Sequence, residues 1–305
     1  MNTTRIEIIL SNLRIVFLAL LILSIITSCD KEVIENPKSD DDGMRDYIFL
    51  GHIYEDPTHI DQRLEAMDYS IYDQILLGGD ICSETTQEIS TLEYLDDIFN
   101  LNSDGTHWTW GNHDMRNGNT NYITNATNRP SFYSSYTDSV TFLVLNTTFG
   151  HSGTYDTTSV REQLQLITEV CDTIQQSTHL IVMTHHIVWE RSDPNTNMFT
   201  ISNGGGPGVL FDLAPNQKYD DIIYPMLTKV QERGVQVIHI AGDLGQKRST
   251  YEYTTAEGIH LLGSGITSDT DYHSQFPTHG IPDSILILHH DMEMAVIEWK
   301  FVELD

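Results

Sequence analysis

An α/β domain is what the sequence predicts. Short apolar runs with the length of buried strands alternate with stretches whose apolar residues recur at helical spacing. Five of those runs end in a cluster of Gly, Asp, Asn or His, the pattern of a domain whose site lies at the carboxyl ends of its strands.

Tyr47 to Leu50 reads as a buried strand that ends at Gly51-His52. Residues 58 to 69 carry Ile60, Leu64 and Met67 near helical spacing, and Gln74 to Leu77 is the next strand, ending in Gly78-Gly79-Asp80. Residues 86 to 100 put Ile89, Leu92, Leu95, Ile98 and Phe99 on one helical face. Thr106 to Trp110 then leads into Gly111-Asn112-His113-Asp114, so the order of strand, helix, strand and polar loop repeats. Ser131 to Tyr136 and Val140 to Asn146 are β-prone runs of a hairpin.

Residues 159 to 176 form an amphipathic helix through Val160, Leu164, Ile167, Val170 and Ile174, and Leu180 to Met183 leads into Thr184-His185-His186. Residues 190 to 217 lack periodicity and hold Asn203-Gly204-Gly205-Gly206-Pro207-Gly208, a long loop of the kind that walls a site or varies as a surface insertion. A helix from Tyr219 to Glu232 precedes Val235 to Ala241, which ends in Gly242-Asp243-Leu244-Gly245. Ile259 to Leu262, Ser284 to His289 and Met294 to Phe301 read as three strands, with a tight turn near Asp291.

The chain has 305 residues, and nothing in its composition divides residues 46 to 305, which are expected to form one domain. Hydrophobic residues make up 39% and charged residues 20%, enough for a real core. The formal charge is −28; Arg5, Arg14 and Glu7 give the first 28 residues +1, so the remainder carries −29. Such a field repels nucleic acid and anionic membrane surfaces and favours divalent cations.

Residues 1 to 28 place Arg5 and Arg14 before an apolar run from Ile15 to Ile26, followed by Thr27-Ser28-Cys29. This resembles a bacterial lipoprotein signal peptide, with cleavage before an acylated Cys29. Residues 29 to 45 are acidic and read as a flexible tether. The expected location is the cell envelope, with the lipid as the membrane contact. Cys82 and Cys171 remain, either as a disulfide or as buried free thiols.

Asp, Asn and His side chains delivered on strand-end loops can hold metal ions while leaving one imidazole free for proton transfer. The succession Gly79-Asp80, Gly111-Asn112-His113-Asp114, Thr184-His185-His186 and Gly242-Asp243-Leu244-Gly245 across residues 46 to 265 resembles the calcineurin-like metallophosphoesterase family. The resemblance implies a two-sheet β-sandwich flanked by helices, one or two divalent metal ions (Mn, Fe, Zn or Mg), and hydrolysis of a small phosphate mono- or diester. It makes Asp80, Asn112 and His185 metal ligands and His113 the acid toward the leaving group, with Asp114 placed to orient it.

Two motifs depart from the family pattern. Where Asp-x-His belongs, the chain has His52-Ile53-Tyr54, read with His52 in place of the Asp and Tyr54 in place of the His; the other alignment makes His52 the family His and Leu50 the lost Asp. Where Gly-His-x-His belongs, Asp243 replaces one His and the other is gone. His52 and Asp243 are both still ligand types, which favours a retuned metal site over a dead one. The alternative is a non-catalytic envelope lipoprotein that keeps the fold for ligand binding.

Asp80 is followed by Ile81-Cys82-Ser83-Glu84, without the Arg that a close phosphoprotein phosphatase carries there. Ser83 lacks the Gly-x-Ser-x-Gly elbow of a serine esterase. Arg116 is either a phosphate clamp or a solvated cation, His186 could touch substrate, and His239 is expected to pack within its strand.

Overall fold

The computed structural model describes residues 43–150, 156–189, 192–194, 197, 200–203, 218–266 and 282–304. The expected signal peptide, all of the tether up to residue 42 and most of the loop of residues 190 to 217 lie outside them. The tether is shorter than expected at its other end, because Met44 and Arg45 already belong to the first strand.

Two sheets form a sandwich. One has five strands in the order β11 (Val296–Glu303), β10 (Ser284–Asp291), β1 (Met44–Leu50), β2 (Gln74–Leu77) and β3 (Thr106–Trp108). The other has six, in the order β4 (Tyr133–Thr137), β5 (Val140–Val144), β6 (His179–Thr184), β7 (Gln236–Ala241), β9 (His260–Ser264) and β8 (Thr250–Thr254). The centres of both sheets are parallel, β1 with β2 and β3, and β5 with β6, β7 and β9, while the edges are antiparallel. Parallel pairing sends successive strand ends to the same side of the molecule.

The apolar runs are continuous because both faces of these strands are covered. Tyr47 and Phe49 of β1 meet Phe142, Ile181, Met183, Ile238 and Ile240 between the sheets. Ile48 and Leu50, on the opposite face, pack with Leu64 of α1 (Gln62–Glu65), Leu92, Leu95 and Phe99 of α2 (Ile89–Phe99) and Ile123 of α4 (Asn121–Thr127). Leu180 and Val182 of β6 likewise face Val160, Ile167 and Val170 of α5 (Thr157–Thr173) and Ile223 and Leu227 of α6 (Tyr219–Glu232). This is the helix-flanked two-sheet sandwich that the sequence led us to expect.

The helix expected over residues 58 to 69 shrinks to α1, because Asp61 caps Arg63 N–H at 2.9 Å and Ile60 is drawn into a bridge with Tyr54. Two short helices, α3 (Asn112–Met115) and α4, and the edge strand β8 had no counterpart in the sequence reading. Cys82 and Cys171 are buried free thiols, so no disulfide joins them.

Candidate functional site

The site forms where β1, β2 and β3 of one sheet end beside β6 and β7 of the other. Backbones must meet closely there. A Cβ on Gly242 would stand 2.1 Å from the Gly78 oxygen, and one on Gly111 would stand 2.1 Å from Asp80 Oδ1. Glycine at those two positions lets the strand ends touch.

Asp80, just past β2, is 2% exposed and has φ 55°; His52, just past β1, is 4% exposed with φ 50°. Left-handed backbone is costly for a side chain with a Cβ, so both residues are held there by their surroundings. For Asp80 the restraint is Asp114. Its buried carboxylate accepts from Asp80 N–H (2.8 Å), Gly111 N–H (2.8 Å), Ile81 N–H (3.1 Å), Thr85 Oγ1–H (2.7 Å) and Trp108 Nε1–H (3.3 Å). Five donors tie the loop after β2 to the loop after β3. Burial, and then Asp80, push the Asp114 carboxyl up to about 6 despite them.

Three imidazoles surround Asp80 with the same polarity. Nδ1–H of His185 donates to Gly78 O at 2.9 Å, that of His113 to Ser83 O at 3.1 Å, and that of His52 to Ile266 O at 3.2 Å. A carbonyl can only accept, so each ring presents Nε2 to the site. His185 Nε2 lies 3.3 Å and His113 Nε2 4.0 Å from Asp80 Oδ2. The other Asp80 oxygen, Oδ1, accepts the His113 backbone N–H at 2.8 Å.

His185 Nε2 is fully buried, with Asp80 Oδ2 facing it as its ion-pair partner. A nitrogen lone pair and a carboxylate oxygen at that separation call for a cation between them. A proton can take the place: burial opposes charge on His185, but Asp80 overrides it and lifts the imidazole to about 10. The same contact holds Asp80 far below the ordinary carboxylate range, against burial, with His185 ahead of His113 and His52 among the causes. A divalent ion can take the place instead, and histidines that ligate metals commonly donate their other N–H to a carbonyl, as His185 does.

Asp243, past β7, receives Ser202 Oγ–H at 2.5 Å on Oδ2, and its own N–H donates to His185 O at 2.8 Å. Burial raises its carboxyl, and His185 and Ser202 partly offset that. Burial lowers both His52 and His113.

The family model for calcineurin-like phosphoesterases matches residues 51–224. The chain belongs to the calcineurin-like phosphoesterase family. No curated protein matches it.

As a calcineurin-like phosphoesterase, the chain brings Asp80, His113 and His185 together as the family resemblance implies, with His52 and Asp243 close enough to act on their charges. Asn112 opens α3 beside them. Among the described residues, no three His, Cys, Asp or Glu side chains converge as a finished metal cage, so the fit to a metal rests on the Asp80 and His185 pair. Asp114 is corrected: its oxygens serve the five donors above, and the His113 ring is set by Ser83 O instead. It is a positioning residue for Asp80.

His186 Nδ1 lies 2.9 Å from Thr147 Oγ1 while its ring stands edge-on to His185, and His239 is packed against Trp189. Arg116 is neither fully solvated nor free of the site: Nε donates to Ser83 O at 3.1 Å, and Nη1 lies 3.4 Å from His113 Nε2. Ser202 went unnoticed in the sequence, since a serine 41 residues from its partner leaves no local signal.

Proposed function

We propose that this phosphoesterase is a metal-dependent hydrolase of small phosphate mono- or diesters, held outside the cytoplasm by a lipid on Cys29. The observation that carries the catalytic part is the fully buried His185 Nε2 facing Asp80 Oδ2 at 3.3 Å. Asp80 and His185 would hold the ion, with Asn112, Asp243 and His52 at hand. A bound divalent ion supplies Lewis acidity toward a phosphoryl oxygen and makes a water more acidic.

The remaining work falls to the chain itself. His113 has 17% of its side chain exposed, more than Asp80 or His185, so its Nε2 is the imidazole atom that can meet a leaving group. The bond to Ser83 O fixes the ring, leaving Nε2 as the atom that can take up a proton and pass it to the departing alkoxide. Arg116 beside it supplies positive charge to a phosphate oxygen.

The test is turnover of p-nitrophenyl phosphate and bis(p-nitrophenyl) phosphate by the metal-loaded full chain. Hydrolysis abolished in Asp80→Asn supports the reading; metal loading without hydrolysis of either ester, or of a wider phosphoester panel, favours the binding-protein alternative. The anchor is checked separately: fatty-acid label incorporated by the cell-expressed chain should vanish in Cys29→Ala.

A further inference from the structure

We infer that this site is built for a single divalent ion between Asp80 and His185, not for two; the inference rests on the phosphoesterase reading above. It follows from which donors the protein's own contacts leave available on each side of Asp80.

On the His185 side, two strong donors face each other at 3.3 Å and the imidazole nitrogen has no other partner. On the His113 side the surroundings exclude a second cation. Arg116, itself paired with Glu84 at 3.3 Å, places a guanidinium nitrogen 3.4 Å from His113 Nε2, so that imidazole nitrogen already faces a donor. The Tyr54 ring stacks on His113, with centroids 5.0 Å apart and planes 25° apart, and reaches His52 at 4.6 Å. An aromatic ring therefore stands against both imidazoles, at the position where the family pattern has a ligand histidine.

The loop after β7 adds no ligand to that side. Leu244 is fully buried in the core beneath α5 and α6. Gly245 has φ 128°, and a Cβ on it would stand 2.2 Å from Ile266 O, so a larger residue cannot be accommodated there without moving the backbone. Asp243 Oδ2 is engaged by Ser202. What remains opposite His185 is the His52 imidazole alone beside the shared Asp80 carboxylate, whereas the ion at His185 also has Asn112 and Asp243 at hand, so it is the second ion that lacks donors.

The experiment uses the full chain, purified, stripped with chelator and dialysed against Mn²⁺ alone. Bound metal is counted by elemental mass spectrometry, and electron paramagnetic resonance reports whether ions are isolated or exchange-coupled. About one Mn²⁺ per chain with the spectrum of an isolated ion is expected. It should be lost in His185→Gln and kept in Tyr54→Phe, circular dichroism confirming that both variants fold. About two ions with a coupled spectrum would overturn the single-ion inference and leave the phosphoesterase reading standing. No bound metal would overturn both, and one ion that survives His185→Gln would overturn its placement.

Discussion

His113 and Arg116 share one acceptor: the Ser83 carbonyl receives His113 Nδ1–H and Arg116 Nε–H, each at 3.1 Å. One backbone oxygen thus sets the direction of both the proton-carrying imidazole and the nearest cation. His113→Ala should lower kcat by about a hundredfold to ten-thousandfold, the usual worth of a positioned acid. Metal content should hardly change. Loss of metal together with turnover would show that His113 is a ligand instead.

Arg116→Ala removes the cation but leaves the His113 bond to Ser83 O. KM for p-nitrophenyl phosphate should rise by about tenfold, as expected for a charge-assisted contact worth about 1.5 kcal/mol, with a smaller change in kcat. Arg116→Lys should recover part of the loss. Steady-state kinetics on the three proteins checks this, and an unchanged KM would reduce Arg116 to a surface ion pair with Glu84.

Asp114→Ala orphans a set of buried donors from two loops at once. A loss of about 3 kcal/mol or more is expected, since each hydrogen bond to a buried charge is worth about 1.5–3 kcal/mol. Asp114→Asn keeps an acceptor and should lose less. Urea unfolding curves measure both, and a near-neutral Asp114→Ala would mean that the loops hold themselves.

Gly242→Ala tests the seam between the sheets. The added methyl would press on the Gly78 oxygen and force strand ends apart, at a cost of about 1–3 kcal/mol. The expected readout is a lower melting temperature accompanied by weaker metal retention, because Gly78 O also accepts from His185.

Acid should weaken the fold. Burial lowers His107 and His239 to about 3 and His179 to about 4, below the ordinary imidazole value of 6.5. Between those values the unfolded chain binds protons that the folded chain refuses, so the share of stability that these three histidines hold is full above 6.5 and declines as pH falls toward 3. Asp114, raised to about 6, and Asp243, also raised, act oppositely, but the lowered imidazoles, His52 and His113 among them, outnumber these two. Urea midpoints should drop from pH 7 to pH 4, and His239→Gln should flatten the slope.

Most of the sandwich was legible because parallel strands covered on both faces become uninterrupted apolar runs, as in Leu180 to Met183. The site residues were legible because they follow those runs directly. Asn121–Thr127 escaped because its Asn and Thr residues give little helical periodicity. β8 did carry a signal, the alternation of Tyr251 and Tyr253. The roles of Asp114 and Ser202 were hidden because both depend on tertiary contacts, the latter across 41 residues. Tyr54 was visible as a replaced ligand, but only its stacking on His113 shows what fills the place.

The bond from His185 to Gly78 O joins residues 107 positions apart. A growing chain therefore carries Asp80 long before His185 can face it. The pair is completed late, only after β6 has been made and the second sheet has packed against the first, so folding of that sheet is the step that finishes the site.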